Sequence, residues 1–180
     1  MRRIALSSVF ALALMGAALR IASASHPSAT RSATGSTGHA SRMAALGAIV
    51  GEWQSDTVGG VSARTSCAWS PYRAAVLCEQ HLSTPSGGST ALDLFTADSA
   101  SGRYTLYVLQ HAGDATTNVP FVIDGSRWTY GGTSASGDGR FYRTVNEFSS
   151  SDSYTWRQES SPDGRTWSVG IRGRNVRIGR

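Results

Sequence analysis

A chain of 180 residues, 40% of them hydrophobic, is long enough for one domain with its own core or barrel. All 17 basic residues are arginine, and the absence of lysine excludes a Walker phosphate loop, a Schiff base and a Ser/Lys catalytic pair. The formal charge of +5 overstates the basic character, because Arg2, Arg3 and Arg20 lie in a segment that reads as removable.

That segment has three parts. Met1-Arg2-Arg3 is a positive n-region, residues 4–19 form an apolar run, and Ala22-Ser23-Ala24 is a small-residue cleavage pattern. The run has 16 residues and Arg20 ends it, so it falls short of a membrane span of about 18. Residues 1–24 are therefore expected to be a secretory signal peptide, cut after Ala24. The mature chain would be periplasmic or secreted, with no stable membrane anchor and with 14 arginines against 12 acidic residues. Arg172, Arg174, Arg177 and Arg180 then read as a solvated strand face, with no nucleic acid as partner. Residues 25–42 are small and polar without apolar periodicity, which predicts a disordered linker. His26 and His39 fall in it and carry no metal-site pattern. Residues 43–180 make up the domain.

The domain opens with a short apolar run, residues 43–50, read as a helix, followed by Gly51-Glu52-Trp53. From there the chain repeats strand, turn, strand. Strands are expected at 50–58, 61–69, 73–83, 89–96, 103–111, 120–124, 127–133, 140–149, 153–160 and 165–178. Gly59-Gly60, Asp124-Gly125, Ser136-Gly137-Asp138-Gly139 and Pro162-Asp163-Gly164 supply the positive φ that tight hairpins require. The prediction is an all-β domain, a single antiparallel up-and-down β-barrel of about ten strands entered by a short N-terminal helix. Cys67 and Cys78 are directly opposed across a hairpin centred between Tyr72 and Arg73, which predicts a disulfide in an oxidising compartment. Two thiols are too few for zinc, and no metal or other cofactor is expected.

Taken together, Leu46-Gly47, Gly51-Glu52-Trp53, Gly102-Arg103-Tyr104-Thr105, Trp128-Thr129 and the stretch from Ser161-Pro162-Asp163-Gly164 to Trp167 resemble a bacterial family of secreted domains of unknown function. Its members are regarded as lipocalin-like, or calycin, barrels. The resemblance spans nearly all of residues 43–178 and brings no activity with it. It implies that Gly51 and Trp53 are structural, with Trp53 closing the base of the barrel against an arginine near the chain end. Arg157, Arg172 and Arg174 are the candidates for that arginine. The Ser161 to Trp167 stretch is also similar to the Asp-box hairpin of sialidase propellers. Its aspartate and glycine are adjacent, however, and it occurs once, so it reads as a hairpin turn whose Trp167 packs on the sheet.

A crude strand map places candidate site residues. Pairing across Gly59-Gly60 sets Trp53 opposite Ser66 and Ser55 opposite Arg64, so Arg64 shares the inner face with Trp53. Carried through the cysteines, the alternation turns Glu79 and His81 inward, with Asp93 opposite Glu79 and Tyr104 inward beside Phe95. Arg64, Glu79, His81, Asp93 and Tyr104 are thus the expected ligand-binding residues. The leading expectation is a non-enzymatic barrel that binds a small, partly apolar molecule in its cup. One alternative is a hydrolase or isomerase using Glu79, His81 and Asp93, or a metal held by His81, His111 and Glu79. A second is a structural or protein-binding module with a filled barrel. No catalytic residue is assigned, and no Gly-x-Ser-x-Gly elbow is present.

Overall fold

A computed structural model of the chain describes residues 34–56, 58–110 and 117–179. The expected signal peptide, the start of the expected linker with His26, and His111 lie outside the described residues.

Ten antiparallel strands close into one barrel. In chain order they are β1 Gly51–Ser55, β2 Ser62–Trp69, β3 Val76–Thr84, β4 Gly87–Ala97, β5 Tyr104–Gln110, β6 Thr117–Asp124, β7 Arg127–Ala135, β8 Phe141–Ser150, β9 Ser153–Ser161 and β10 Ser168–Gly179. Each pairs with its sequence neighbour, and β10 returns to β1. The predicted all-β, up-and-down barrel is the fold. Closure leaves no strand with a free edge, as an antiparallel sheet with short hairpins allows. At the seam Gly51 sits at φ 125°, and a Cβ there would lie 2.8 Å from the Gly179 carbonyl oxygen. The glycine of Gly51-Glu52-Trp53 is therefore set by how closely the two chain ends approach.

Helix α1, Thr34–Ala45, and a 3₁₀ turn, Leu46–Ile49, precede the barrel. The helix starts inside the stretch read as linker. Sequence periodicity could not reveal it, because its apolar contacts begin only at Met43. Met43, Leu46 and Ile49 are buried, and the Tyr104 hydroxyl donates to the Arg42 carbonyl at 3.3 Å. These contacts place the helix against one end of the barrel.

Two hairpins set which residues face inward. At the first, Gly59 and Gly60 occupy the turn with φ of 61° and 80°, and Val58 pairs with Val61. Further along, Trp53 pairs with Thr65 and Gln54 with Arg64, which requires one extra residue on the first strand. The Asp56 N–H continues the β1–β10 ladder to the Arg174 carbonyl at 2.9 Å, whereas Val58 pairs back to Val61, so the register changes between them. At the second hairpin Cys67 faces Cys78, and the two are joined by a disulfide.

Among the described residues the interior is tightly filled at the helix end. At the helix end the inward residues Trp53, Val76, Cys78 and Trp128 are at most 2% exposed. Toward the other end Thr65, Gln80, Leu82, Ala91, Thr144 and Gln158 also face inward but are only half-buried. The barrel is solid at its floor, and above it the described residues line a less closely filled part of the interior, the cup.

Candidate functional site

The floor is aromatic. Trp53 donates its indole N–H to the Ile49 carbonyl at 2.7 Å and meets Tyr154 edge-on at 5.0 Å between centroids. Tyr154 continues to Phe148 at 4.8 Å, Phe148 to Trp128 at 5.3 Å, and Trp128 to Phe121 at 5.9 Å. Phe121 stacks on Tyr130 at 5.0 Å and contacts Phe95 at 5.9 Å. These rings come from six strands, and each falls on the inward phase of its strand's alternation. Ring pairs in such edge-on and offset arrangements add packing energy beyond burial alone.

The floor is also pinned from below. Arg177 lies over the Trp53 ring at 4.2 Å, donates to the carbonyls of Ala48, Val50 and Ser151, and pairs with Asp152 at 3.2 Å. The expected arginine partner of Trp53 is therefore Arg177. Arg157, Arg172 and Arg174 stand on the opposite phase of β9 and β10 and face outward, since Trp53 pairs directly with Arg177. Trp53 seals the base as expected.

Above the rings stands a polar layer. Asp93 on β4 points inward from a place opposite Cys78 and Val108. Burial raises its carboxyl from the ordinary 3.8 to about 6. It has no hydrogen-bond or ionic partner among the described residues. Two phenols face the same space. Burial pushes the Tyr154 hydroxyl up to about 12, with the Asp93 charge adding to the effect and a hydrogen bond from the Asn175 amide opposing it. Burial likewise raises Tyr130 well above its usual value, helped by the charges of Tyr154 and Asp93, and the Asn146 amide donates to its oxygen at 3.4 Å. Both tyrosines are neutral donors at physiological pH. Trp156 closes one side of this layer. Its indole lies flat over Gly173, where an added Cβ would come within 2.7 Å of the ring.

The expected site divides in two. Asp93 and Tyr104 face inward. Asp93 belongs to the polar layer, whereas Tyr104 lies lower, 5.1 Å from Phe121 and bonded to the helix. Arg64, Glu79 and His81 do not enter the cup. The bulge near Asp56 shifts the first hairpin by one residue, which turns all three to the outer wall. There Arg64 pairs with Glu52 at 2.6 Å, and His81 lies 3.2 Å from Glu79, with all four side chains well exposed. Asp93 escapes the same reversal because β3 and β4 also pair one residue away from the expected register, with Glu79 facing Leu92. The triad Glu79, His81 and Asp93 is thus split across the barrel wall. Among the described residues no three His, Cys, Asp or Glu side chains gather as a metal site would need.

Tyr130 and Trp156 are among the aromatics that the sequence offers as a possible ligand platform, whereas Tyr154, Asn146 and Asn175 were not singled out from it. Alternation in Trp128-Thr129-Tyr130 and Tyr154-Thr155-Trp156 marks them as sharing a face, but only the closed barrel brings four distant strands around Asp93.

Another concavity lies at the closed end of the barrel, where it reaches the floor residues Ile123, Trp128 and Phe148. It is a cleft of about 680 Å³ between the 3₁₀ turn and the hairpin tips, edged by Val50, Trp69, Arg73, Ser126, Ser151 and Arg177. Arg73 there is held over the Trp69 ring at 4.4 Å, and Arg177 is committed to the floor.

On the outer wall Glu52, Glu147 and Glu159 are paired with arginines. Glu159, 7% exposed, receives Arg157 at 2.6 Å and Arg143 at 2.5 Å, and Arg157 also reaches Glu147 at 2.9 Å. Burial alone would raise the Glu159 carboxyl, but the two guanidinium groups outweigh it and hold it below its ordinary value. Trp167 stacks on Arg143 at 3.9 Å and so packs on the sheet as expected. No protein-family model matches this chain, and no curated protein matches it, so the site has to be read from its own chemistry.

Proposed function

We propose that this is an exported, non-enzymatic barrel that binds a small, partly apolar molecule in its cup. The observation that carries the reading is the polar layer of Asp93, Tyr130 and Tyr154, standing on a continuous aromatic floor where the sealed interior gives way to the half-open one. Ligand sites of this kind are mostly apolar, with a few placed polar groups that fix orientation. A domain selected only for stability would gain by filling such a layer with apolar side chains, since buried polar groups cost free energy unless satisfied. Export is supported by the leader-like N-terminus and by the disulfide, which suits an oxidising compartment.

The test is fluorescence of the neutral probe N-phenyl-1-naphthylamine with the wild-type protein and with Ala91→Trp, which places an indole beside Asp93 on the inner face. Saturable binding in the wild type that the variant abolishes, with its far-UV spectrum unchanged, is the expected result. Equal binding by both would place the probe elsewhere and remove the support for a cup site.

A further inference from the structure

We propose that the cup selects an organic monocation, a protonated amine carried on an apolar or aromatic body, with the Asp93 carboxylate as its counter-ion. The inference rests on the cup being a ligand site and adds the chemical class of the ligand.

Three observations lead to it. The first is that Asp93 is an inward carboxylate with no hydrogen-bond or ionic partner among the described residues. By contrast, the buried Glu159 lies between Arg143 and Arg157, and even the exposed Asp163 accepts the N–H groups of Arg165 and Thr166 at 2.9 and 2.8 Å. Interior charges are ordinarily paired in this way. The second is that no cation among the described residues stands beside it. Among the described inward positions the arginine is Arg177, which is engaged at the floor by the Trp53 ring, three carbonyls and Asp152. Among the described groups above the floor the inward charge is therefore that of Asp93, half-withdrawn from water, which attracts a cation and repels an anion.

The third is the donor and acceptor balance around Asp93. An ammonium group has three donors and no acceptor. The amides of Asn146 and Asn175 each spend an N–H on a tyrosine oxygen, which leaves their carbonyl oxygens free to accept. With the two carboxylate oxygens these groups supply enough acceptors for such a head. The ring faces of the floor and of Trp156 suit both an apolar body and the adjoining positive charge. A carboxylate ligand would face Asp93 with like charge, and a neutral alcohol would leave that charge unpaired.

The experiment displaces N-phenyl-1-naphthylamine with 2-phenylethylamine, 2-phenylethanol or 3-phenylpropionate, using the wild type and Asp93→Asn at neutral pH. Expected for the wild type is an amine affinity at least about tenfold above that of the alcohol, equivalent to about 1.4 kcal/mol, with the propionate weakest. In Asp93→Asn the amine and alcohol should fall within about twofold of each other, while the affinity for the neutral probe is retained. Probe binding with no advantage for the amine in the wild type overturns this inference and leaves the ligand-site reading standing. An amine preference that survives in Asp93→Asn overturns the role of Asp93. Failure of the probe and of all three compounds to bind the wild type overturns both readings. Should Asp93→Asn misfold, the wild-type comparison of amine with alcohol still decides for or against a cationic ligand.

Discussion

Replacing Asp93 with asparagine should make the unliganded protein more stable at neutral pH. Burial raises the folded-state pKa of Asp93 from 3.8 to about 6. Between those values the unfolded chain has released the proton and the folded chain still holds it. Stability therefore falls as pH rises through this window, and the full cost persists above about 6. The interval corresponds to about 3 kcal/mol. Asparagine keeps the shape and removes the ionisation, so Asp93→Asn should exceed the wild type by up to about 3 kcal/mol near pH 7. For a domain of this size that is roughly 6–12 °C in Tm. Near pH 3.5, below both pKa values, the two proteins should differ by less than about 1 kcal/mol. Urea titrations of both proteins at several pH values measure the gap directly. Because the other carboxylates are common to both, their contributions cancel in the difference. A wild type more stable than the variant at neutral pH would show that the folded protein favours the ionised carboxylate and would refute the reasoning. So would a gap that does not change with pH.

The remaining predictions concern the scaffold. Arg177→Met keeps much of the packing on Trp53 but removes the hydrogen bonds to Ala48, Val50 and Ser151, and should cost about 3 kcal/mol in a urea melt. A loss under about 1 kcal/mol would mean that the ring contact alone holds the floor. Cys67→Ser with Cys78→Ser opens a link between residues 11 apart and should cost about 3 kcal/mol. Thiol reduction of the wild type should lower its melting temperature to that of the double variant. Glu159→Gln leaves Arg143 and Arg157 without their shared carboxylate and should cost about 2 kcal/mol at neutral pH. Because the folded protein holds Glu159 below its ordinary 4.5, its contribution is present above that value and is lost as pH falls through the lower folded one. The gap between Glu159→Gln and wild type should therefore close in acid, the reverse of the behaviour of Asp93.

The barrel was legible in the sequence because alternation and turn glycines are local signals. Strand order followed from the short hairpins, and the disulfide from the symmetric placement of Cys67 and Cys78 about their turn. The inner and outer faces were less accessible, since they depend on register. The turn at Gly59-Gly60 pairs Val58 with Val61 as its glycines imply, but the extra residue near Asp56 enters the strand afterwards. Up to Asp56 the strand keeps its register with β10, through the bond to the Arg174 carbonyl more than a hundred residues away in the chain, and the local sequence carries no mark of the change that follows. One residue was enough to exchange Arg64, Glu79 and His81 for Thr65, Cys78 and Gln80 on the inner face. The missed Arg177 has a similar cause: β1 and β10 shift register between Glu52 and Trp53, so counting along β10 alone does not identify the residue beside the tryptophan.

The seam between β1 and β10 governs when this chain can fold. Its pairs, such as Glu52 with Gly179, join nearly opposite ends of the domain, whereas every other strand pair is local. Hairpins can form as their residues become available, but the cylinder has no complete hydrogen-bonded wall until the last strand arrives. Contacts of such long range are slow to form, because the loop entropy must be overcome first. Until then β1 and β9 each present an unpaired edge to other chains, so any nascent or truncated form lacking β10 is the species most exposed to aggregation.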